Sequence, residues 1–161
     1  MDILSHTLTG IAIGTIAAAV SNGSWKQKIT IILIGGLGGS LPDFDAISLW
    51  SKFDSTIGTA LNLSHSGNQI YFGKFWYSHH AALHSLLALF LFILLSILLS
   101  VRLKISKIAA LLSKQKHFYF SFSLGFVFHL LEDMPAPASV WGGVNFFFPS
   151  NEYIGGFGKI W

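Results

Sequence analysis

Residues 77–85 read YSHHAALHS and place His79, His80 and His84 within six positions, directly before the apolar run LLALFLFILLSILLSV at 86–101. Histidine is the common neutral metal ligand and the side chain that exchanges protons near neutral pH. Ionisable groups at the mouth of a segment long enough to enter a bilayer are costly, so three together point to a chemical use. Other stretches carry matching groups: His6 in MDILSHTLTG, Asp43 and Asp45 in LPDFD, and His129, Glu132 and Asp133 in HLLED. Imidazole and carboxylate without sulfur suit zinc, with manganese or iron as alternatives. The chain has no cysteine, which excludes disulfides and thiolate sites.

The spacings favour such a site. His80 and His84 are four residues apart, as are His129 and Asp133, so a helical face can present each pair to one ion. Pro42 is expected to stop a helix and turn Asp43 out of it, and Pro135 to end another just past Asp133. Up to seven of these groups as ligands are enough for one or two divalent ions. A single histidine in a membrane helix more often hydrogen-bonds a neighbouring helix, and His129 with Asp133 suits an ion pair. Those blander readings do not predict that the groups converge.

The elements that position them are four apolar segments, from about Leu4 to Val20, Ile29 to Leu41, Ala81 to Val101 and Phe118 to Leu131. Hydrophobic residues make up 52% of the 161 and charged residues only 11%, with a mean hydropathy of +0.61. A soluble domain carries about 25% charged residues, so the bilayer is the better solvent. The expected fold is all-α: one membrane-embedded domain over 1–161, a bundle of about four transmembrane helices. Only the third segment plainly meets the roughly 20 apolar residues a span requires; the second and fourth are short enough to be tilted or re-entrant. The start of the chain lacks the positive region of a signal peptide, and the first segment reads as a retained helix.

Charge gives an orientation. The connections SNGSWKQK and RLKISKIAALLSKQKH hold Lys26, Lys28, Arg102, Lys104, Lys107, Lys114 and Lys116, seven of the ten basic residues, and no acid. The positive-inside rule places both in the cytoplasm. Asp2, Asp43, Asp45, Asp54, Glu132, Asp133 and Glu152 then fall on the other side, opposed only by Lys52, Lys74 and Lys159. Each helix thereby delivers a His or Asp to the same extracytoplasmic level of an inner membrane. The long 42–80 connection, with Leu49, Trp50, Phe53 and Ile57 at helix-like spacing, is expected to be an amphipathic surface helix, a soluble-style cap being the alternative. The Pro-, Gly- and aromatic-rich tail after Asp133 reads as a loop at the interface. GGLGGS at 35–40 reads as a close helix-packing surface rather than a phosphate nest. His65 reads as a solvated loop residue, and His117, beside Lys116, as cytoplasmic; both are set aside. The net charge of +3 accompanies no nucleic-acid-binding motif, so nucleic acid is not an expected partner.

The order MDILSHTLTG, LPDFD, HHAALHS, HLLED and then a Gly-rich stretch with FFFP resembles the YdjM-like family along nearly the whole chain. That family is described as membrane-bound, metal-dependent hydrolases and also as LexA-binding. The resemblance implies that His6, Asp43, Asp45, His79, His84, His129 and Asp133 are its metal-site residues. Where such proteins commonly show His-Arg, this chain has His79-His80, so His80 either replaces a substrate-binding cation or adds a ligand. The set is more distantly similar to the helical zinc-dependent phospholipases C.

The first functional reading is a membrane-embedded metal-dependent hydrolase, with Asp45, His80 and Glu132 as candidates for catalytic roles beyond metal binding. A site level with lipid headgroups suggests membrane lipids as partners and a lipid or lipid-linked phosphoester as substrate. The alternatives are a metal transporter, which needs ligands nearer the midplane, a di-iron oxidase, which uses more than seven histidines, and an interaction protein with a structural metal. No nucleophile elbow or P-loop is present. Oligomeric state has no signature.

Overall fold

The computed structural model describes residues 3–102, 116–135 and 142–156. Asp2, Lys159 and most of the basic connection with Lys104, Lys107 and Lys114 lie outside the described residues. All regular structure among the described residues is helical, apart from one isolated antiparallel bridge between Val144 and Ile154. The chain divides into two compact units: Met1–Leu41 with Ala88–His129, and Pro42–Leu87 with Leu130–Trp161.

In the first unit, α1 (Ile3–Ala19) and α2 (Trp25–Ser40) pack through glycine. Gly10 and Gly14 meet Gly35 and Ile32 so closely that a Cβ on Gly14 would stand 2.7 Å from the Cα of Ile32. Small residues let two backbones approach, and GGLGGS serves that packing as its composition predicts. The start of α2 is fixed by Ser24, whose N–H donates to Gln27 Oε1 at 2.6 Å. The helix stops at Ser40, because the ring of Pro42 cannot continue it. In α5 (Lys116–Asp133), Gly125 fits against the Gly35 carbonyl and Ser121 donates its hydroxyl to the Ile31 carbonyl at 3.0 Å. Ala17, Ala18, Ile31 and Phe118 form the buried apolar cluster. Many large apolar side chains on the helices of this unit are exposed instead, among them Leu8, Ile16, Leu33, Phe90, Leu95 and Phe120.

Two expectations about helix limits are corrected. The segment α4 begins at Leu86, not near Ala81 (Leu86–Arg102). His80 has φ of +63°, Ala82–His84 forms a single 3-10 turn, and Ser85 is extended, so His80 and His84 do not share one helical face. A residue in the left-handed region cannot propagate a right-handed helix.

The second correction concerns the 42–80 connection, which is not one amphipathic helix. It consists of a 3-10 segment Pro42–Leu49, a π turn Asp54–Gly58 and α3 (Gly67–Phe72). The i to i+3 bonds from Trp50 to Ile47 and from Phe53 to Trp50 change the periodicity, so the apolar residues part company. Phe53 is buried while Leu49 and Trp50 remain about half exposed. The short α3 is stabilised by a capping box between Ser66 and Gln69, and the Gly67 N–H donates to Asp54 Oδ1 at 2.6 Å.

No single helix among the described residues is long and apolar enough to cross a membrane. The 17 residues of α1 reach about 26 Å at 1.5 Å per residue, against roughly 30 Å of hydrocarbon. Taken together across the break at Leu41, α2 and Pro42–Leu49 do pass on length and composition.

Candidate metal centre

The second unit gathers six of the chain's ionisable groups. Asp43 and Asp45 come from the 3-10 segment that Pro42 opens, His79 and His80 from the turn after α3, His84 from the 3-10 turn before α4, and Asp133 from the last turn of α5. His84 is fully buried and Asp133 is 1% exposed.

The histidines share one pattern. His79 donates from Nδ1 to Asp45 Oδ1 at 2.6 Å, and His84 Nδ1 lies 3.3 Å from Asp45 Oδ2, so one carboxylate orients two rings. His80 donates from Nδ1 to the Gly143 carbonyl at 3.1 Å. In each ring the other nitrogen turns to a second carboxylate. Asp43 Oδ1 stands 3.5 Å from His84 Nε2 and 3.9 Å from His79 Nε2, and Asp133 Oδ2 stands 3.7 Å from the Nε2 atoms of both His80 and His84. A metal-binding histidine is held in this way, its distal nitrogen on a carboxylate or carbonyl and its proximal nitrogen presented to the ion.

The Nε2-to-carboxylate spacings are too long for hydrogen bonds. They match donors surrounding a common point, since two ligand atoms about 2.1 Å from a tetrahedral ion stand roughly 3.4 Å apart. Ligand atoms of His79, His80 and His84 fall within 4.8 Å of one another, and so do those of Asp43, His84 and Asp133. His84 belongs to both groups. The donor set is therefore able to hold a divalent ion, and nothing in it selects zinc over manganese or iron.

Electrostatics follow from the same contacts. Burial opposes charge on His84, but the nearby carboxylates of Asp45, Asp43 and Asp133 outweigh it and raise its pKa to about 10. Burial works to raise the Asp45 carboxyl, yet the charge of His84 and the bonds from His79 and His84 bring it down to about 2. His80 is lowered to about 3, first by burial and then by the positive charges of His84 and His79. Carboxylates that hold a proton so firmly at His84 favour any cation there, including a metal ion competing for that place.

His6 and His129 lie together in the first unit, their ring centroids 3.9 Å apart, both about 1% exposed. His129 repeats the pattern of the others by donating from Nδ1 to the Gly39 carbonyl at 2.7 Å. It stands one helical turn before Asp133 on α5, the spacing expected from the sequence. Glu132, on the same turn, is half-buried and outside the two ligand groups. His65 is not simply solvated: its ring stacks on Phe75, and its Nδ1 shares a 2.7 Å hydrogen bond with the Tyr77 hydroxyl.

Two contributors escape a reading by residue type. The ring of Tyr71 stacks on His79 at 4.4 Å, and burial, followed by the charges of Asp43, Asp45 and Asp133, raises its pKa. Gly143, with φ of +120°, supplies the carbonyl that orients His80. Tyr71 sits in an unremarkable GNQIYF, and a backbone carbonyl has no sequence signature.

No curated protein and no solved structure is significantly similar to the chain. The family model of the YdjM inner membrane protein matches residues 1–160. With that match over the whole length and a buried His/Asp cluster able to hold metal, the chain belongs to the YdjM inner membrane protein family.

Proposed function

We propose that the protein is a multi-pass inner-membrane, metal-dependent hydrolase whose site lies on the extracytoplasmic side and acts on a phosphoester of a lipid or lipid-linked substrate. The observation that carries this reading is the common orientation of His79, His80 and His84, each with Nδ1 beside a carboxylate or carbonyl oxygen and Nε2 turned toward Asp43 or Asp133. Exposed apolar side chains around the helices of the first unit support a lipid setting.

His79, His80, His84, Asp43 and Asp133 are the ligands in this reading, with His6 and His129 retained on residue type and on the spacing of His129 to Asp133. A bound divalent ion would polarise a phosphoryl oxygen and ease deprotonation of a water at neutral pH. The chain's own work is to fix the ligands. Asp45 is a positioning residue, locking the tautomer of His79 and His84. His80, kept neutral by burial and by its charged neighbours, offers Nε2 as a ligand rather than as an acid. Glu132, half exposed, is the carboxylate proposed to take the proton.

Elemental analysis of the detergent-purified protein beside Asp133→Ala tests the metal. One or two equivalents of zinc, manganese or iron, lost in the variant, are expected; no metal after incubation with each ion would sink the reading. The enclosure of His84 and Asp133 favours one alternative, a structural metal, because structural sites are closed and catalytic ones keep an open position. Metal without hydrolysis of any phosphoester across a lipid panel would select it.

A further inference from the structure

The second unit contains another cavity, outside the histidine–carboxylate cluster. It is a cleft of about 380 Å³ whose walls include Lys74, Trp76, Asn145, Asn151 and Tyr153. Asn145 is only 3% exposed. Its Nδ2 donates to the Ser150 carbonyl at 2.8 Å. A carbonyl only accepts, so this bond fixes the orientation of the amide, and Oδ1 points away to where no donor meets it among the described residues. A buried acceptor left in that state asks for a donor from a ligand.

The rest of the cleft is cationic and aromatic. Lys74 is exposed, with its Nζ 5.0 Å from the centre of the Tyr153 ring, and it has no ion pair among the described residues. Trp76 is 68% exposed, a large ring left beside an amide and an ammonium group. A few convergent polar groups among aromatic walls are the usual make-up of a small-ligand site. Here the groups specify a negative charge for Lys74, a hydroxyl donor for Asn145 and carbon-bound faces for the rings.

The cleft adjoins the candidate metal centre through one short stretch of chain. The Asn145 N–H donates to the His80 carbonyl at 2.9 Å, and the Gly143 carbonyl accepts from His80 Nδ1 at 3.1 Å. Asn145, which holds the His80 carbonyl on one side, therefore forms part of the cleft wall on the other. We propose that this cleft binds an anionic polyol headgroup, with Lys74 on its phosphate and Asn145 Oδ1 accepting from a hydroxyl. Its consequence, that the headgroup selects which phosphoester is cleaved, rests on the hydrolase reading above; the binding itself does not.

The test uses calorimetry on the full chain in detergent with dihexanoyl phosphatidylglycerol, dihexanoyl phosphatidylcholine and glycerol 3-phosphate. The wild type is compared with Lys74→Gln and Asn145→Ala, and bound zinc is measured in all three. The glycerol headgroup is expected to bind at least tenfold more tightly than choline, and each variant to lose at least tenfold while Lys74→Gln keeps its zinc. Glycerol 3-phosphate binding as well as the lipid would assign the cleft to the free phosphopolyol, and binding of the lipid alone to a headgroup; either keeps the proposal. Equal affinity for glycerol and choline lipids, or an unchanged Lys74→Gln, overturns it. Headgroup binding by a wild type without zinc would sink the metal reading and leave the cleft standing.

Discussion

Asp45 and His79 are joined by a 2.6 Å hydrogen bond from Nδ1 to Oδ1, and the second oxygen of the same carboxylate reaches the Nδ1 of His84. This places Asp45 behind the imidazoles, while Asp43, two residues earlier on the 3-10 segment, faces their Nε2 atoms. Two carboxylates that look equivalent in LPDFD therefore have different work.

Asp45→Asn is expected to weaken metal binding by about 10- to 100-fold without abolishing it, as losses behind a ligand do. Asp43→Asn, which removes a facing oxygen, should cost more. Competition against a chromophoric chelator measures both. Equal losses would show that Asp45 is a direct ligand after all. His117→Ala should leave the affinity unchanged.

Metal uptake is expected to release a proton from His84, whose pKa is raised to about 10 in the metal-free site. Affinity should then climb up to about tenfold per pH unit from pH 7 toward that value. Calorimetry in two buffers of different ionisation enthalpy counts the proton, and a count of zero would contradict the assignment.

The metal-free protein should lose stability at both ends of the pH scale. A raised His84 stabilises fully below its ordinary 6.5, and that contribution disappears as pH rises through about 10. On the acid side, His80 resists protonation down to about 3 while the unfolded chain takes up its proton near 6.5, so stability falls as pH drops through that interval. The contribution of Asp45, present above 3.8, is lost as pH falls through about 2. Thermal unfolding of chelator-treated protein across pH 4–10 follows the first two changes directly; a Tm independent of pH would contradict them.

Gly35→Ala should destabilise the first unit by about 1–3 kcal/mol, because its Cβ would meet the Gly10 carbonyl, with Ser121 Oγ at 2.7 Å. Gly23→Ala, whose Cβ would meet the flexible Gln27 side chain, should cost less. Thermal unfolding in detergent distinguishes them, and an equal effect would argue against glycine packing as the constraint.

Because the chain has no cysteine, single cysteines can report topology cleanly. Ser64→Cys should react with an impermeant maleimide in intact spheroplasts, and Asn22→Cys only after permeabilisation. The reverse pattern would invert the proposed orientation.

Much of the site was legible because its chemistry is carried by residue types. Few side chains other than His and Asp ligate metals without sulfur, and burying so many of them in an apolar chain is costly unless they serve a purpose. The glycine run was legible for a similar reason: a missing side chain at helical intervals leaves one thing to do, which is to let another backbone approach. Pro42 likewise determined where α2 would stop, since its ring excludes helix continuation whatever surrounds it.

Other features depend on atoms brought together from distant positions. Helical spacing suggested one face for His80 and His84, but the His80 backbone is left-handed, its ring bonded to the Gly143 carbonyl and its own carbonyl to the Asn145 N–H, more than sixty residues away. The amphipathic pattern of 42–80 was real in composition, yet 3-10 and π turns rotated Phe53 inward and left Trp50 outside, because burial of one ring outweighed helical regularity. By itself the sequence determined which groups are available and where helices must stop. Only the tertiary structure decided which imidazole nitrogen each carboxylate faces, because a ring's orientation depends on hydrogen bonds to partners that sequence separation conceals.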